Sequence, residues 1–143
     1  MTQRIVPMIA YEDAAAAIDW LTEAFGFRER GRRYTDENGV VTHAELELGG
    51  AIVMLATPSE HYQGPKRHRE RCEAARRWQD NPWVIDGLLV TVDDLEAHHA
   101  QAVAAGATVI RPLANAAEAG GRLYTAEDLE GHRWMFAEAA ETP

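Results

Sequence analysis

His43, Glu45 and Glu47 alternate along Val41-Thr-His-Ala-Glu-Leu-Glu-Leu48, so one imidazole and two carboxylates share one face of a strand. Ala44, Leu46 and Leu48 share the other. An imidazole beside a carboxylate is a general-base arrangement, with Glu45 orienting His43; the plainer reading is a polar strand face at a solvated rim. A second group is His68 and Cys72, four residues apart, with His61 upstream. On a helix the first two share a side and could grip a soft metal. No second ligand pair accompanies them, so a solvated helix is the better reading. His98-His99 reads as one exposed and one partly buried histidine, and His132, in a turn, as a cap for backbone carbonyls. The chain carries no Gly-rich phosphate loop, no Gly-x-Ser-x-Gly elbow and no CxxC pair.

The elements that must position these residues follow in order. Arg4 to Ala10 is apolar and strand-like, with Pro7 suited to an edge or a strand start. Glu12-Asp13 offers an N-cap, and Ala14, Ala17, Ile18, Leu21 and Phe25 form the apolar stripe of a helix that Gly26 ends. Phe27 to Tyr34 is an Arg-rich strand. Thr35 to Gly39 is a turn in which Asn38-Gly39 predicts type I′ geometry. Val40 to Leu48 and Ala51 to Ala56 form a hairpin about Gly49-Gly50.

Residues 58–82 hold Pro58, Pro65 and Pro82 and a basic run. They read as a linker, with a short helix over Arg69 to Trp78, folded across whatever site the two halves build. Val84 to Val92 is then a strand. Asp93-Asp94 caps a helix over Leu95 to Ala105, with Leu95, Ala102 and Val103 facing inward, and Gly106 ends it. Thr108 to Leu113 is a strand, Ala114 to Gly121 a loop, and Arg122 to Phe136 a hairpin whose Gly131 is free to take positive φ.

Asp13 to Gly50 and Asp94 to Gly131 are equal spacings, each beginning at a helix cap and ending at a hairpin glycine. Such self-similarity marks a duplicated unit. The acidic turn closed by Gly131-His-Arg-Trp134, and two successive βαβββ patterns, resemble the vicinal-oxygen-chelate superfamily of glyoxalases, bleomycin-resistance proteins and extradiol dioxygenases. The resemblance implies an α+β fold in which two βαβββ modules (4–57 and 83–138) form a cupped mixed sheet within a single domain spanning 1–143. It also implies a homodimer, with cups built within or between chains.

Metal-dependent members of that superfamily carry His or Gln early in each module's first strand and Glu near the end of each last strand. The matching positions here are Val6, Gly87, Met54 and Met135, and none offers the oxygen or nitrogen donor that a hard divalent ion requires. The expected metal set is therefore none, and no cofactor is expected. Strand parity lines the cup with Met8, Met54, Leu89 and Met135 among others. Carrying the repeat's register across the halves pairs His43 with Tyr124 and Val41 with Arg122, which makes His43 and Tyr124 opposite walls. Trp83, with Tyr62 and Trp78, supplies aromatic surface at the mouth or across a dimer interface.

The chain has 143 residues, 46% of them hydrophobic and 26% charged, which is ordinary for a globular domain. A net charge of −9 argues against nucleic acid and anionic membranes as partners, and no apolar run is long enough to span a bilayer. Without a signal-like N-terminus, and with Cys72 as the lone cysteine, a cytoplasmic location is expected. These readings converge on a metal-independent binder of a bulky aromatic or cationic small molecule of the glyoxalase/bleomycin-resistance type. The ligand-binding set is Met8, His43, Met54, Trp83, Leu89, Arg122, Tyr124 and Met135. The alternative is an enzyme of the same fold, a lyase, isomerase or dioxygenase-like protein, using His43 and Glu45 with Tyr124 and Arg122.

Overall fold

The computed structural model describes residues 3–82, 86–117 and 120–138. The first half runs β1 (Met8–Ala10), α1 (Ala14–Phe25), β2 (Arg28–Thr35), β3 (Val41–Leu48) and β4 (Ala51–Ala56). Two short helices follow, α2 (Pro65–Arg71) and α3 (Glu73–Gln79). The second half repeats the plan with β5 (Gly87–Val92), α4 (Leu95–Ala104), β6 (Thr108–Ala116), β7 (Gly121–Glu127) and β8 (Arg133–Glu138). Each half makes a four-stranded mixed sheet, ordered β1-β4-β3-β2 and β5-β8-β7-β6, with β1–β4 and β5–β8 parallel and the other pairs antiparallel. This is the α+β, paired-βαβββ architecture that the repeat implied.

Both main helices start where an aspartate caps them. Asp13 accepts from the Ala16 N–H and Asp94 from the Ala97 N–H, each at 3.0 Å. The stripe of α1 is buried from Ala14 to Phe25, and Gly26 closes the helix at φ 80°. In α4, Leu95 and Ala102 are buried, but Val103, expected inside, is 49% exposed. It follows Ala102 by one residue, a helical rotation of about 100° that turns it off the packed side.

One core serves both halves. Ala44, Leu46, Val53 and Leu55 of the first sheet and Tyr124, Ala126, Trp134 and Phe136 of the second join the α1 residues in a single cluster. Phe25 packs edge-on to Phe136, centroids 4.7 Å apart, and Phe27 against Trp134 at 5.4 Å. Alternation then sends Met8, His43, Glu45 and Met54 to the other face of the first sheet, and Leu89 and Met135 to that of the second.

The turn after β7 holds the halves together. Asp128 is 5% exposed. Its Oδ2 accepts from the Tyr11 hydroxyl at 2.6 Å and the Trp134 indole at 3.1 Å, and its Oδ1 from the backbone N–H groups of Glu130 and His132 at 3.0 Å each. Burial first, then the Asp128 charge, holds the Tyr11 phenol well above its usual range. Glu130 accepts from the N–H groups of Glu12 and Asp13 at the start of α1, at 2.6 and 3.0 Å. His132 Nε2 donates to the Ala10 carbonyl at 2.8 Å, the carbonyl cap expected of it. Gly131 has φ +91°, and a Cβ there would lie 2.7 Å from the Lys66 nitrogen. The linker therefore docks on this turn, with Lys66 N–H donating to the Glu130 carbonyl at 2.9 Å.

Several local expectations are revised. Hydrogen-bonded β1 is only Met8–Ala10, because Pro7 has no N–H; its carbonyl accepts from Met54 at 2.9 Å. The turn before β3 is not type I′, which needs positive φ at both central residues. Gly39 has φ 80°, but among the described residues every positive φ is a glycine, so Asn38 is excluded. The Asp36 carboxylate organises the loop instead, accepting from Asn38 at 2.8 Å and Val40 at 3.0 Å. The linker forms two helices where one was expected, broken by extended backbone at Cys72. Strand β6 continues to Ala116 through part of the expected loop, with register shifts around Pro112. The start of the strand expected from Val84 lies outside the described residues.

Asp128→Ala leaves four donors, three of them at or near full burial, without their acceptor. Unfolding free energy from chemical denaturation should fall by about 3 kcal/mol or more, against about 1 kcal/mol or less for Asp36→Ala in the exposed turn.

Candidate functional site

Two open clefts share the wall Met8–Ala10. The first, about 210 Å³, is lined by Met8, Ala10, Thr42, His43, Met54 and Pro58 among others. It forms because β1 pairs with β4 so that Met8 lies beside Met54, while the β3–β4 register puts Glu45 beside Met54 on its other side. Met8 is 74% exposed, so its thioether stands free of the core. The second cleft, about 370 Å³, lies between β1, the starts of β5 and β8, and the linker, with Tyr62, Trp78 and Arg133 among its lining residues.

Of the polar set on this strand face, His43 lines the first cleft and the others stand beside it. His43 Nε2 lies 3.6 Å from Glu45 Oε1, and Arg30 Nε lies 3.6 Å from Glu45 Oε2. Tyr34 is the cross-strand partner of His43, ring centroids 6.1 Å apart. Glu47 is held by Arg28, whose guanidinium keeps its carboxyl below the usual range. His43 and Glu45 are thus brought together as expected, but Glu45 is shared with an arginine.

Tyr124 is not the opposite wall. It is fully buried on the helix side, where its hydroxyl lies 2.6 Å from His98 Nδ1. His98 Nε2 lies 2.7 Å from the Phe25 carbonyl, which can only accept. Nε2 therefore carries the proton, Nδ1 accepts, and Tyr124 donates. Burial raises the Tyr124 phenol and lowers the His98 imidazole; the Phe25 hydrogen bond opposes the latter shift, and neighbouring His99 adds to it.

The physical reason is a one-residue difference between the halves. Leu55 of β4 and Phe136 of β8 are equivalent core positions, yet their cross-strand partners are Ala44 and Tyr124. His43 therefore corresponds to Leu123, not Tyr124. In a strand, a slip of one residue sends a side chain to the opposite face. Arg122 follows Tyr124 to that side, donating to Glu96 at 2.7 Å and pairing with Glu138.

Met135 lies opposite Leu89 and Thr125 on the face of the second sheet away from α1 and α4, against a small buried cluster of Ala116, Leu123 and Ala137. Leu89 is 57% exposed and borders a groove of about 540 Å³ with Ile5 and Ile52. Neither joins the lining of the Met8–Met54 cleft. Trp83 lies outside the described residues.

The linker's attachment was only partly legible. Glu127 and Arg133, cross-strand partners on β7 and β8, are 4% and 6% exposed. Arg69 of α2 donates to Glu127 Oε2 at 2.7 Å, and Arg133 donates to the carbonyls of Gln79, the last residue of α3, and of Asn81. Gln79 Nε2 donates back to the Pro65 carbonyl at 3.0 Å. The sequence signal was the Glu and Arg on facing strands; that they would clamp a distant linker was not written there.

The superfamily's metal set does not fit this chain. Val6 and Gly87 carry no donor atom, and Met54 and Met135, each flanked by the first strand of its own sheet, carry thioether sulfurs unsuited to hard ions. Among the described residues no three His, Cys, Asp or Glu side chains are grouped to hold an ion. His61 pairs with Glu60 at 3.4 Å and His68 packs edge-on to Trp78 at 6.0 Å, so His61, His68 and Cys72 are not gathered into a site. No described helix is long and apolar enough to cross a membrane.

Comparisons with known proteins agree with this architecture. A model of the Glyoxalase/Bleomycin resistance protein/Dioxygenase superfamily matches residues 4–136. The crystal structure of TioX from Micromonospora sp. ML1 is similar at 32% identity, covering 99% of each chain with a TM-score of 0.68. An uncharacterised protein of Mycobacterium tuberculosis is 31% identical over 136 residues, 92% of this chain and 72% of its own. The bleomycin-binding protein of Streptomyces verticillus, solved with copper(II)-bleomycin, shares the fold at 17% identity, covering 98% of this chain and 100% of that one, TM-score 0.60.

The His98 bridge carries a pH signature. Its pKa in the folded chain lies below the ordinary 6.5, so the unfolded chain binds the proton first, and stability is lost as pH falls through that value. Urea titrations should show the stability gap between the wild type and His98→Gln narrowing from about pH 7 to pH 5. A gap that stays constant would mean His98 does not charge on unfolding.

Proposed function

The chain belongs to the Glyoxalase/Bleomycin resistance protein/Dioxygenase superfamily, and from that premise we propose that it is a metal-independent small-molecule-binding protein that sequesters a bulky aromatic or cationic compound. The observation that carries this reading is the open cleft beside Met8. Where metal-dependent relatives place ligands, this chain places Val6, Met54, Gly87 and Met135, and the cleft's walls are thioethers and apolar carbons with His43 at one side. Methionine is polarizable and conformationally adaptable, which suits a large ligand of mixed character. A net charge of −9 favours cationic ligands over anionic ones. The Streptomyces relative, which holds a bulky antibiotic complex on the same fold, supports the class of ligand and not its identity. A role in antibiotic resistance and a cytoplasmic location are consistent with this reading.

The second reading, an enzyme, keeps His43, which lines the cleft, and Glu45, 3.6 Å from it, as base and orienting carboxylate. It proceeds without Tyr124 and Arg122, which lie on the helix side.

The reading also includes a homodimer. Ile5, Met8 and Leu89 are 93%, 74% and 57% exposed on or beside the open faces, and covering such apolar surface is a common reason to associate. Light scattering on purified full-length chain should give twice the chain mass. A mass equal to one chain at micromolar concentration would remove the dimer from the proposal.

A thermal-shift screen with aromatic and cationic compounds should return hits that raise the melting temperature. For a hit held in the Met8–Met54 cleft, Met54→Glu should weaken binding at least about tenfold, by placing a carboxylate in an apolar wall, while leaving the circular dichroism spectrum unchanged. Recovery of the compound unaltered supports sequestration; chemical conversion that disappears in His43→Ala would move the conclusion to the enzyme.

A further inference from the structure

The second cleft has a character that the repeat did not foretell. Its linker side carries two rings, Tyr62 and Trp78, facing a lining that includes Met8 of β1 and Gly87 of β5. Trp78 is 45% exposed and Met8 74%, so both present free surface. Trp134 also borders the cleft, but it is fully buried with its indole N–H committed to Asp128.

The chain that carries Trp78 is anchored before any ligand arrives. Gln79, next to Trp78, is 5% exposed, its carbonyl gripped by Arg133 and its amide by the Pro65 carbonyl. Arg69 fixes the preceding helix to Glu127. Rigid aromatic walls bind with less ordering cost than mobile ones.

The exposed charge of the cleft is negative. Arg133 borders it, but is 6% exposed, its guanidinium turned to the carbonyls of Gln79 and Asn81 and to Glu127, which it shares with Arg69. His132 Nε2 is spent on the Ala10 carbonyl. Asp86 lines the cleft from an exposed position. Behind Tyr62 stand Glu130, Glu12 and Asp128, which add to burial in holding its phenol above the ordinary value.

We propose that this linker cleft binds a planar cationic aromatic ring, stacked against Trp78 and Tyr62 with the Met8 thioether beside it and its positive charge toward Asp86. This rests on the small-molecule-binding reading above and adds a second place, with its own ligand chemistry, to it. Ring faces attract cations and stack on flat π-systems, and a thioether packs well against an aromatic edge. A planar anion would meet Asp86 and the carboxylates behind Tyr62.

The test uses proflavine, a flat cationic dye, and acridine, its neutral counterpart at neutral pH, titrated with the full-length protein and followed by dye anisotropy. Proflavine should bind saturably and more tightly than acridine. Trp78→Ala should weaken proflavine at least about tenfold, and Trp78→Phe should restore it to within about threefold. Asp86→Asn should erase the preference for proflavine over acridine. Equal proflavine affinity in wild type and Trp78→Ala would overturn the inference. If Met54→Glu abolishes a binding that Trp78→Ala spares, the dye sits in the other cleft, and this inference fails while the small-molecule reading stands. Absence of any dye binding overturns the inference too, and together with an empty thermal-shift screen it removes both.

Discussion

Four hydrogen bonds to one buried carboxylate set the geometry of this chain. Asp128 takes the Tyr11 hydroxyl from the end of β1, the Trp134 indole from β8, and two N–H groups of its own turn. A buried carboxylate is costly unless each oxygen is met by donors, and here each oxygen meets two. Glu130, two residues on, meets the N–H groups of Glu12 and Asp13 just before α1, where the helix's positive end favours a carboxylate. Burial nevertheless raises its pKa, with the two N–H bonds opposing. The turn of the second half thereby fixes where the first half begins, and the missing Cβ of Gly131 lets the linker lie directly against it.

From this anchor the two faces of each sheet acquire different fates. The helix side is consumed in folding, because Phe25, Phe27, Trp134 and Phe136 fill the space between α1 and both sheets. The other side is left accessible at Met8 and His43 of the first sheet but is buried at Leu123, Thr125, Glu127, Arg133 and Ala137 of the second. Its side chains were set by strand parity alone, which is why Met54 and Met135 stand at matching places in the two halves. The linker then makes the halves unequal. It clamps onto Glu127 and Arg133 of the second sheet and leaves the Met8–Met54 face of the first uncovered, so the pseudo-symmetric chain ends with two clefts of different chemistry.

Membership of this superfamily fixes the scaffold and not the chemistry, since one fold hosts metal enzymes and binding proteins alike. What separates them is the side chains on the open faces. In this chain the outer strands add charge that is mostly self-satisfied: Arg28 pairs with Glu47, Arg33 with Glu29, and Arg30 approaches Glu45. Strand β2 is also a sheet edge, and its charged row with the left-handed Gly31 makes it a poor template for further pairing.

Much of this was written locally. Helix α1 was legible to the residue because cap, stripe and terminal glycine all lie within one short stretch, and the duplicated βαβββ plan was legible because equal spacings of caps and glycines need no tertiary knowledge. The apolar character of Met54 and Met135 at the expected ligand positions was equally a property of the sequence. What the sequence did not fix was register across distance. The β7–β8 hairpin pairs one residue out of step with β3–β4, because the turn 128–132 replaces the two-residue Gly49-Gly50 turn, and it turned Tyr124 from cleft wall to core and gave it His98 as partner. The turn at Asn38-Gly39 departed from its dipeptide signal because the Asp36 side chain competed for the same N–H groups. Tertiary packing alone decided where the linker lies, since its anchors, Glu127, Arg133 and the Glu130 carbonyl, belong to strands and a turn far along the chain, and a segment read by itself cannot show which distant groups will satisfy it.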